Sequence, residues 1–219
     1  MARKMSVNRK PSDFFDAYAP DFDAIYGGKR SITNRLIDFL FRRSMRLRFE
    51  KTIKECYPVE GKIVLDVGCG PGHYGLALLH KGIDRVYGID SAPKMIELAQ
   101  EKAAIAGVSD KCEYIKGDFL TYAFDRKFDY TIVIGFMDYV NEPSVVIDKV
   151  LSLTNSKAFF SFPIAEGLLA WQRRRRYRNK CDLFLYRRSD VERLFKDRQT
   201  NHYSITKLSR DYFVTVQPV

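Results

Sequence analysis

The stretch with the densest chemical content runs Asp66-Val67-Gly68-Cys69-Gly70-Pro71-Gly72-His73-Tyr74-Gly75. Glycines at this spacing let a chain turn sharply through torsions that other residues avoid. The missing side chains also let a ligand lie on the backbone, near the positive end of a following helix. Pro71 stiffens the loop. Two further acids stand at the ends of apolar runs. Asp90 closes Arg85 to Asp90, and Asp118 follows Cys112 to Lys116.

The surrounding elements place these residues together. Ile63 to Val67 is a short apolar run that reads as a buried parallel strand, and His73 to Lys81 reads as the helix after it. Ala92 to Ala106 carries Met95, Ile96, Leu98, Ala99, Ala103 and Ala106 at helical spacing, with Gly107 as a stop. Phe128 to Ile134 and Ala158 to Phe162 read as further strands, and Pro143 starts a helix through Leu153. Ser189 to Phe195 is helical, and Tyr203 to Leu208 with Tyr212 to Val216 form an antiparallel pair. Alternating strands and helices imply a parallel sheet with helices on both faces. Ligands bind such sheets beyond the carboxyl ends of the strands, so the residues after Val67, Ile89, Lys116 and Ile134 should line one crevice. Residues 61–219 make this α/β domain. Residues 1–60 add a helical extension, with a long helix from Ser31 to Cys56 and a short helix or lid from Asp13 to Tyr26.

Length and composition agree with one packed domain: 219 residues, 46% of them hydrophobic. No apolar run approaches the ~18–20 residues that span a bilayer, and the basic N-terminus lacks the apolar segment of a secretory signal. Cys56, Cys69, Cys112 and Cys181 form no C-x-x-C pair and no metal-ligand spacing with histidine. They read as reduced thiols in a cytoplasmic protein, with no metal expected. The formal charge is +10, unevenly placed. Residues 61–160 hold 11 Lys/Arg against 13 Asp/Glu, whereas residues 161–219 hold 13 against 6. The basic ends suit an anionic partner; a merely solvated surface is the equal alternative.

Gly70 to Gly75 fits G-x-G-x-x-G, the dinucleotide fingerprint, which keeps an NAD-dependent oxidoreductase as an alternative. The longer pattern resembles something else. Val64 to Gly72, Gly88-Ile89-Asp90-Ser91-Ala92, Gly117-Asp118-Phe119 and Phe128 to Gly135 are similar to the four ordered motifs of class I methyltransferases that use S-adenosylmethionine (SAM). The resemblance covers about residues 62–162. It implies a Rossmann-like, seven-stranded, mostly parallel sheet with an antiparallel C-terminal strand. It also implies SAM as cofactor and S-adenosylhomocysteine (SAH) as product. Asp90 would then accept hydrogen bonds from the ribose hydroxyls. Asp118 would meet the adenine amino group, with Met95 and Phe119 packed on its rings. Asp66 and the backbone of Gly68, Cys69, Gly70 and Gly72 would face the cationic methionine half, where a pyrophosphate would be repelled. Ser91, Gly135, Tyr18 and Tyr26 complete the expected cofactor set.

Methyl transfer asks chiefly for in-line positioning and exclusion of water. A general base adds ~10²–10⁴-fold where the nucleophile must lose a proton. Asp138, in the loop Gly135-Phe136-Met137-Asp138-Tyr139, and His73 are the candidates; a capping acid and a helix-start histidine are their structural alternatives. That loop lacks the polar-Pro-Pro-aromatic motif of nucleic-acid amino methyltransferases and the cysteine of cytosine-C5 enzymes. A small-molecule acceptor, O-methylated and bearing phosphate or carboxylate, is therefore expected ahead of RNA. Phe136, Tyr139, Trp171, Arg173 and Arg176 are its expected contacts, the last three in the insertion Pro163 to Arg188, where arginine forks suit oxyanions. A solvated arginine face is the alternative. Arg35, Arg42, Arg43, Arg46 and Arg48 interleave with apolar residues in the first long helix, a pattern open to peripheral membrane contact or to packing on its own domain. The N-terminal run, with Tyr186-Arg187-Arg188 and Arg210-Asp211-Tyr212-Phe213, is loosely similar to magnesium-protoporphyrin O-methyltransferases, without fixing an acceptor.

Overall fold

A computed structural model describes residues 35–177 and 182–219. Tyr18, Tyr26 and the expected lid lie outside the described residues, as do Cys181 and the side chain of Arg176. The helices are α1 (Arg35–Glu55), α2 (His73–His80), α3 (Pro93–Ile105), α4 (Pro143–Leu153), α5 (Leu168–Tyr177) and α6 (Arg188–Lys196). The strands are β1 (Ile63–Val67), β2 (Arg85–Asp90), β3 (Cys112–Lys116), β4 (Phe128–Val133), β5 (Thr154–Pro163), β6 (Thr200–Leu208) and β7 (Asp211–Pro218).

The seven strands form one sheet in the order β3-β2-β1-β4-β5-β7-β6. β1 pairs in parallel with both β2 and β4, so the chain reverses its direction of winding there. β7 runs antiparallel to both neighbours. Period-two alternation divides the core between two faces. Leu65 and Val67 look toward Val146, Ile147 and Val150 of α4 and Val191 and Phe195 of α6. Val64 packs on the opposite side with Cys56, Leu78, Tyr130, Ile132 and Phe213. Both faces are covered, which is why the central strands read as continuous apolar runs.

Several elements differ from expectation: β6 begins at Thr200 rather than Tyr203, and β7 runs from Asp211 to Pro218 rather than from Tyr212 to Val216. β5 begins at Thr154, directly after α4, rather than at Ala158. The polar run Thr154-Asn155-Ser156-Lys157 joins the strand because Thr154 is buried and satisfied. Its hydroxyl lies 2.7 Å from that of Thr131 and 2.7 Å from the carbonyl of Val150. In the described part of α1, the line turned inward is Ser44, Arg48 and Thr52, continued by Cys56 just past its end, spaced at i, i+4, and not an apolar stripe. Arg48 is thus buried in the domain; Arg46 remains outside, paired with Glu50 at 2.8 Å. No helix among the described residues is long and apolar enough to cross a membrane.

Candidate cofactor and acceptor site

The glycine loop leaves β1 at the point where the winding reverses. Gly68, Gly70 and Gly72 adopt φ of 68°, 52° and 73°, left-handed torsions that glycine occupies without strain. The amides of Gly68 and Cys69 donate to the carbonyl of Ile89 at 2.8 and 3.2 Å, which ties the loop to the end of β2. Asp90 completes that tie. Its two carboxylate oxygens accept from the amides of Gly70 and Ala92, each at 2.9 Å. A carboxylate offers about four acceptor positions, so these bonds fix its orientation without exhausting it. Ser91 is exposed beside it.

Asp66 is 3% exposed, and its Oδ2 has no hydrogen-bond partner among the described residues. Burial pushes its carboxyl up to about 8, and the neighbouring Asp90 adds to the rise. Such an acid costs free energy unless a cation or donor meets it. A Cβ built on Gly70 or Gly135 would meet nothing within 4 Å, so the loop backbone borders open space. An orphaned buried carboxylate oxygen beside an open glycine cradle fits a ligand that carries ammonium and sulfonium charges. The same features do not suit a pyrophosphate.

The other expected cofactor residues take separate places. Asp118 is exposed on the rim, its Oδ1 accepting from the amide of Leu120 at 2.7 Å. Met95 is buried in a small cluster with Ala92 and Leu98. Phe119 belongs to the main core, its ring edge-on to Phe136 at 6.4 Å. Cys69 turns its thiol toward the sheet: a Cβ on Gly88 would lie 3.0 Å from the sulfur, so its side chain is a packing group. His73 is half-buried at the first position of α2.

Gly135 follows β4 with φ of 77°, and its amide donates to Ser161 Oγ at 2.8 Å. Phe136 is half-buried over the glycine loop; a Cβ on Gly68 would fall 2.7 Å from its ring. Tyr139 packs beside Ala170, Leu183 and Leu185, under α5. Trp171 is 56% exposed on α5, with the Arg175 guanidinium 5.7 Å from its ring.

Asp138 and Arg173 have a role that their sequence positions did not show. Asp138 is 2% exposed, so it is no surface cap, and its Oδ2 is ion-paired with Arg173 Nη2. Arg173 is 8% exposed, and its other arm meets Asp211 Oδ1 at 2.9 Å. Asp211 also receives the Ser44 hydroxyl at 2.7 Å and lies 3.4 Å from Arg48. Arg48 reaches Ser161 Oγ, which carries the Gly135 amide. Burial opposes the charge on Asp211, but Arg48 and Arg173 outweigh it and hold the carboxyl below its ordinary value. Burial prevails at Asp138, which is raised although Arg173 partly offsets it. Arg173 is therefore no freely presented oxyanion fork; two carboxylates already engage it. Sequence reading missed Ser44, Arg48, Ser161 and Asp211, although the i, i+4 spacing of Ser44, Arg48 and Thr52 marked one polar helix face.

Comparison with known proteins agrees with this arrangement. Residues 64–156 match the family model described as a methyltransferase domain. A ubiquinone biosynthesis O-methyltransferase of Neisseria meningitidis serogroup C is 33% identical over 106 residues, which cover 47% of this chain and 44% of that protein. Ajmaline N-methyltransferase of Rauvolfia serpentina is 29% identical over 145 residues, 66% of this chain and 47% of that protein. The chain thus matches less than half the length of these curated relatives. Magnesium protoporphyrin IX methyltransferase of Synechocystis PCC 6803, solved with SAH bound, superposes with a TM-score of 0.76 at 18% identity, over 95% of this chain and 98% of that one. At that identity the likeness speaks for the fold. The matched segment holds the glycine loop, Asp90, Asp118 and Gly135, and these similarities together support a class I SAM-dependent methyltransferase family for it.

Proposed function

We propose that this chain transfers a methyl group from SAM to an oxygen of a small, anionic acceptor. The observation that carries the reading is the buried Asp66, whose Oδ2 has no partner among the described residues, beside the open glycine cradle and next to a half-buried aromatic wall at Phe136. Asp90 would hold the ribose, Asp118 the adenine edge, and Asp66 the cationic methionine end. When bound, SAM supplies an already electrophilic methyl group. The chain then has to orient the acceptor and keep water out, and positioning of that kind supplies ~7–11 kcal/mol in favourable cases. Phe136 and Tyr139 would flank the acceptor, with α5 above them. Asp138 acts here as a positioning residue, because its Oδ2 is ion-paired with Arg173 and the side chain is buried. O-methylation draws support from the naming of the Neisseria relative.

The test is incubation with methyl-labelled SAM and separate panels of phenols, carboxylic acids, amines and RNA. Label in an oxygen-linked methyl of a small acid is the expected result. Label entering RNA alone would overturn the reading.

A further inference from the structure

We propose that the cleft between the start of α5 and the β6–β7 turn is a subsite for the anionic end of the acceptor, a phosphate or carboxylate; this rests on the acceptor reading above. The cleft encloses about 210 Å³ and is lined in part by Glu166, Gly167, Arg173, Lys207, Ser209 and Arg210. That volume is below the ~300–1,000 Å³ of pockets that enclose whole ligands, so it suits one end of a molecule.

Its charge selects the end. Arg173, Lys207 and Arg210 line it with Glu166; Asp138 and Asp211 already balance Arg173, and Glu166 stands 3.6 Å from Arg187, so the positive excess of the lining comes from Lys207 with Arg210. Arg173 and Arg210 are 8% and 7% exposed, where charges act through a lower dielectric than at the surface. Asp138 and Asp211 hold Arg173 in one orientation, so its planar group is a fixed wall of the cleft. Lys207 is exposed and supplies an adjustable charge from the end of β6. Gly167, at φ of 83° with no atom within 4 Å of a built Cβ, precedes a ten-residue helix whose positive end faces the same side.

Position gives the substrate its length. β5 and β7 reach the same rim as β4, and β7 stands two strands from β4. Strand spacing separates the cleft from Gly135 and Phe136 by roughly 10 Å. The acceptor would thus carry its anionic group about that far from the methylated oxygen. Arg173 joins the two places, since it lines the cleft and grips Asp138 in the loop after β4.

Backbone-amide NMR of the SAH-saturated protein tests this, with inorganic phosphate and glutarate titrated separately. Saturable shifts centred on Gly167 and Ser209 are expected, at least tenfold weaker in Lys207→Glu. That variant alters an exposed side chain, and its SAH affinity serves as the control for folding. Response to phosphate alone or to glutarate alone tells which oxyanion is preferred. Shifts elsewhere only, no response to either ion, or an unchanged titration in Lys207→Glu would overturn the subsite. Saturable binding at Gly167 and Ser209, with no methyl transfer to any anionic acceptor, would keep the cleft and sink the acceptor reading. Methylation of such an acceptor with equal KM in parent and variant would do the reverse.

Discussion

Asp66→Asn should remove a pH-dependent loss of stability that the ligand-free protein carries. In the folded chain burial raises the Asp66 carboxyl to about 8. In the unfolded chain it titrates near its ordinary value of ~4. Folding therefore binds a proton across that window. The associated stability is fully present below ~4 and is lost as pH rises through the folded value. Between pH 6 and pH 8 the loss comes to about 2 kcal/mol. For a chain of this size that corresponds to a Tm drop of roughly 4–8 °C. Differential scanning calorimetry at both pH values, on parent and variant, isolates the contribution, since the other titrating groups are shared. SAH should erase the same slope in the parent, because its ammonium group favours the charged carboxylate, and SAH should bind the parent more tightly at pH 8 than at pH 6. A variant whose Tm falls with pH as steeply as the parent's would refute the assignment of a raised, unpartnered Asp66.

Asp90→Ala should weaken SAH binding at least about tenfold in isothermal titration, since hydrogen bonds to a charged group contribute ~1.5–3 kcal/mol; unchanged affinity would place the ribose elsewhere. Gly68→Ala forces a side chain into a left-handed torsion and to 2.7 Å from Phe136. It should lower both Tm and SAH affinity, with Phe136→Ala restoring only part, and full restoration would show that the torsion does not matter. Arg173→Met leaves Asp138 and Asp211 without their shared cation, a change that costs about 3–5 kcal/mol for buried pairs. Urea unfolding should show that loss, and adding Asp138→Leu should recover much of it. A surface-sized effect below about 1 kcal/mol would mean that the pairing contributes little.

The sheet was legible because its central strands are buried on both sides and end at glycine or acid. β1 and β2 fall at the residues that their apolar runs marked, and β3, an edge strand with no buried residue, also falls at Cys112 to Lys116, ahead of Gly117-Asp118. The glycine loop and Asp90 were legible for a related reason: a tight turn and its tie to β2 are local, and their chemistry shows in residue type. The first four residues of β5 were hidden, since Thr154 to Lys157 are polar and join the strand through a buried threonine pair. Arg173 reads in the sequence as an acceptor contact, with a solvated arginine face as the alternative, because its partners are distant in sequence. Asp138 lies 35 residues before it and Asp211 lies 38 after it. Burial of a charge depends on such distant partners, and composition or periodicity carries no trace of them. Phe119 shows the same limit, as an aromatic beside a binding motif proves to be core.

The reversal of β7 has a consequence for the order in which the molecule is completed. Running against its neighbours, the strand brings its first residue, Asp211, to the rim where β4 and β5 end. A nascent chain that stops short of this strand already holds every cofactor motif, yet Arg48 and Arg173 would lack the acid that lies between them. Synthesis must pass Asp211, and a contact spanning 167 residues must form from Ser44, before the transfer loop gains its full support. Long-range closures of this kind are slow steps of folding. Assembly of the competent rim is thereby tied to the arrival of β7.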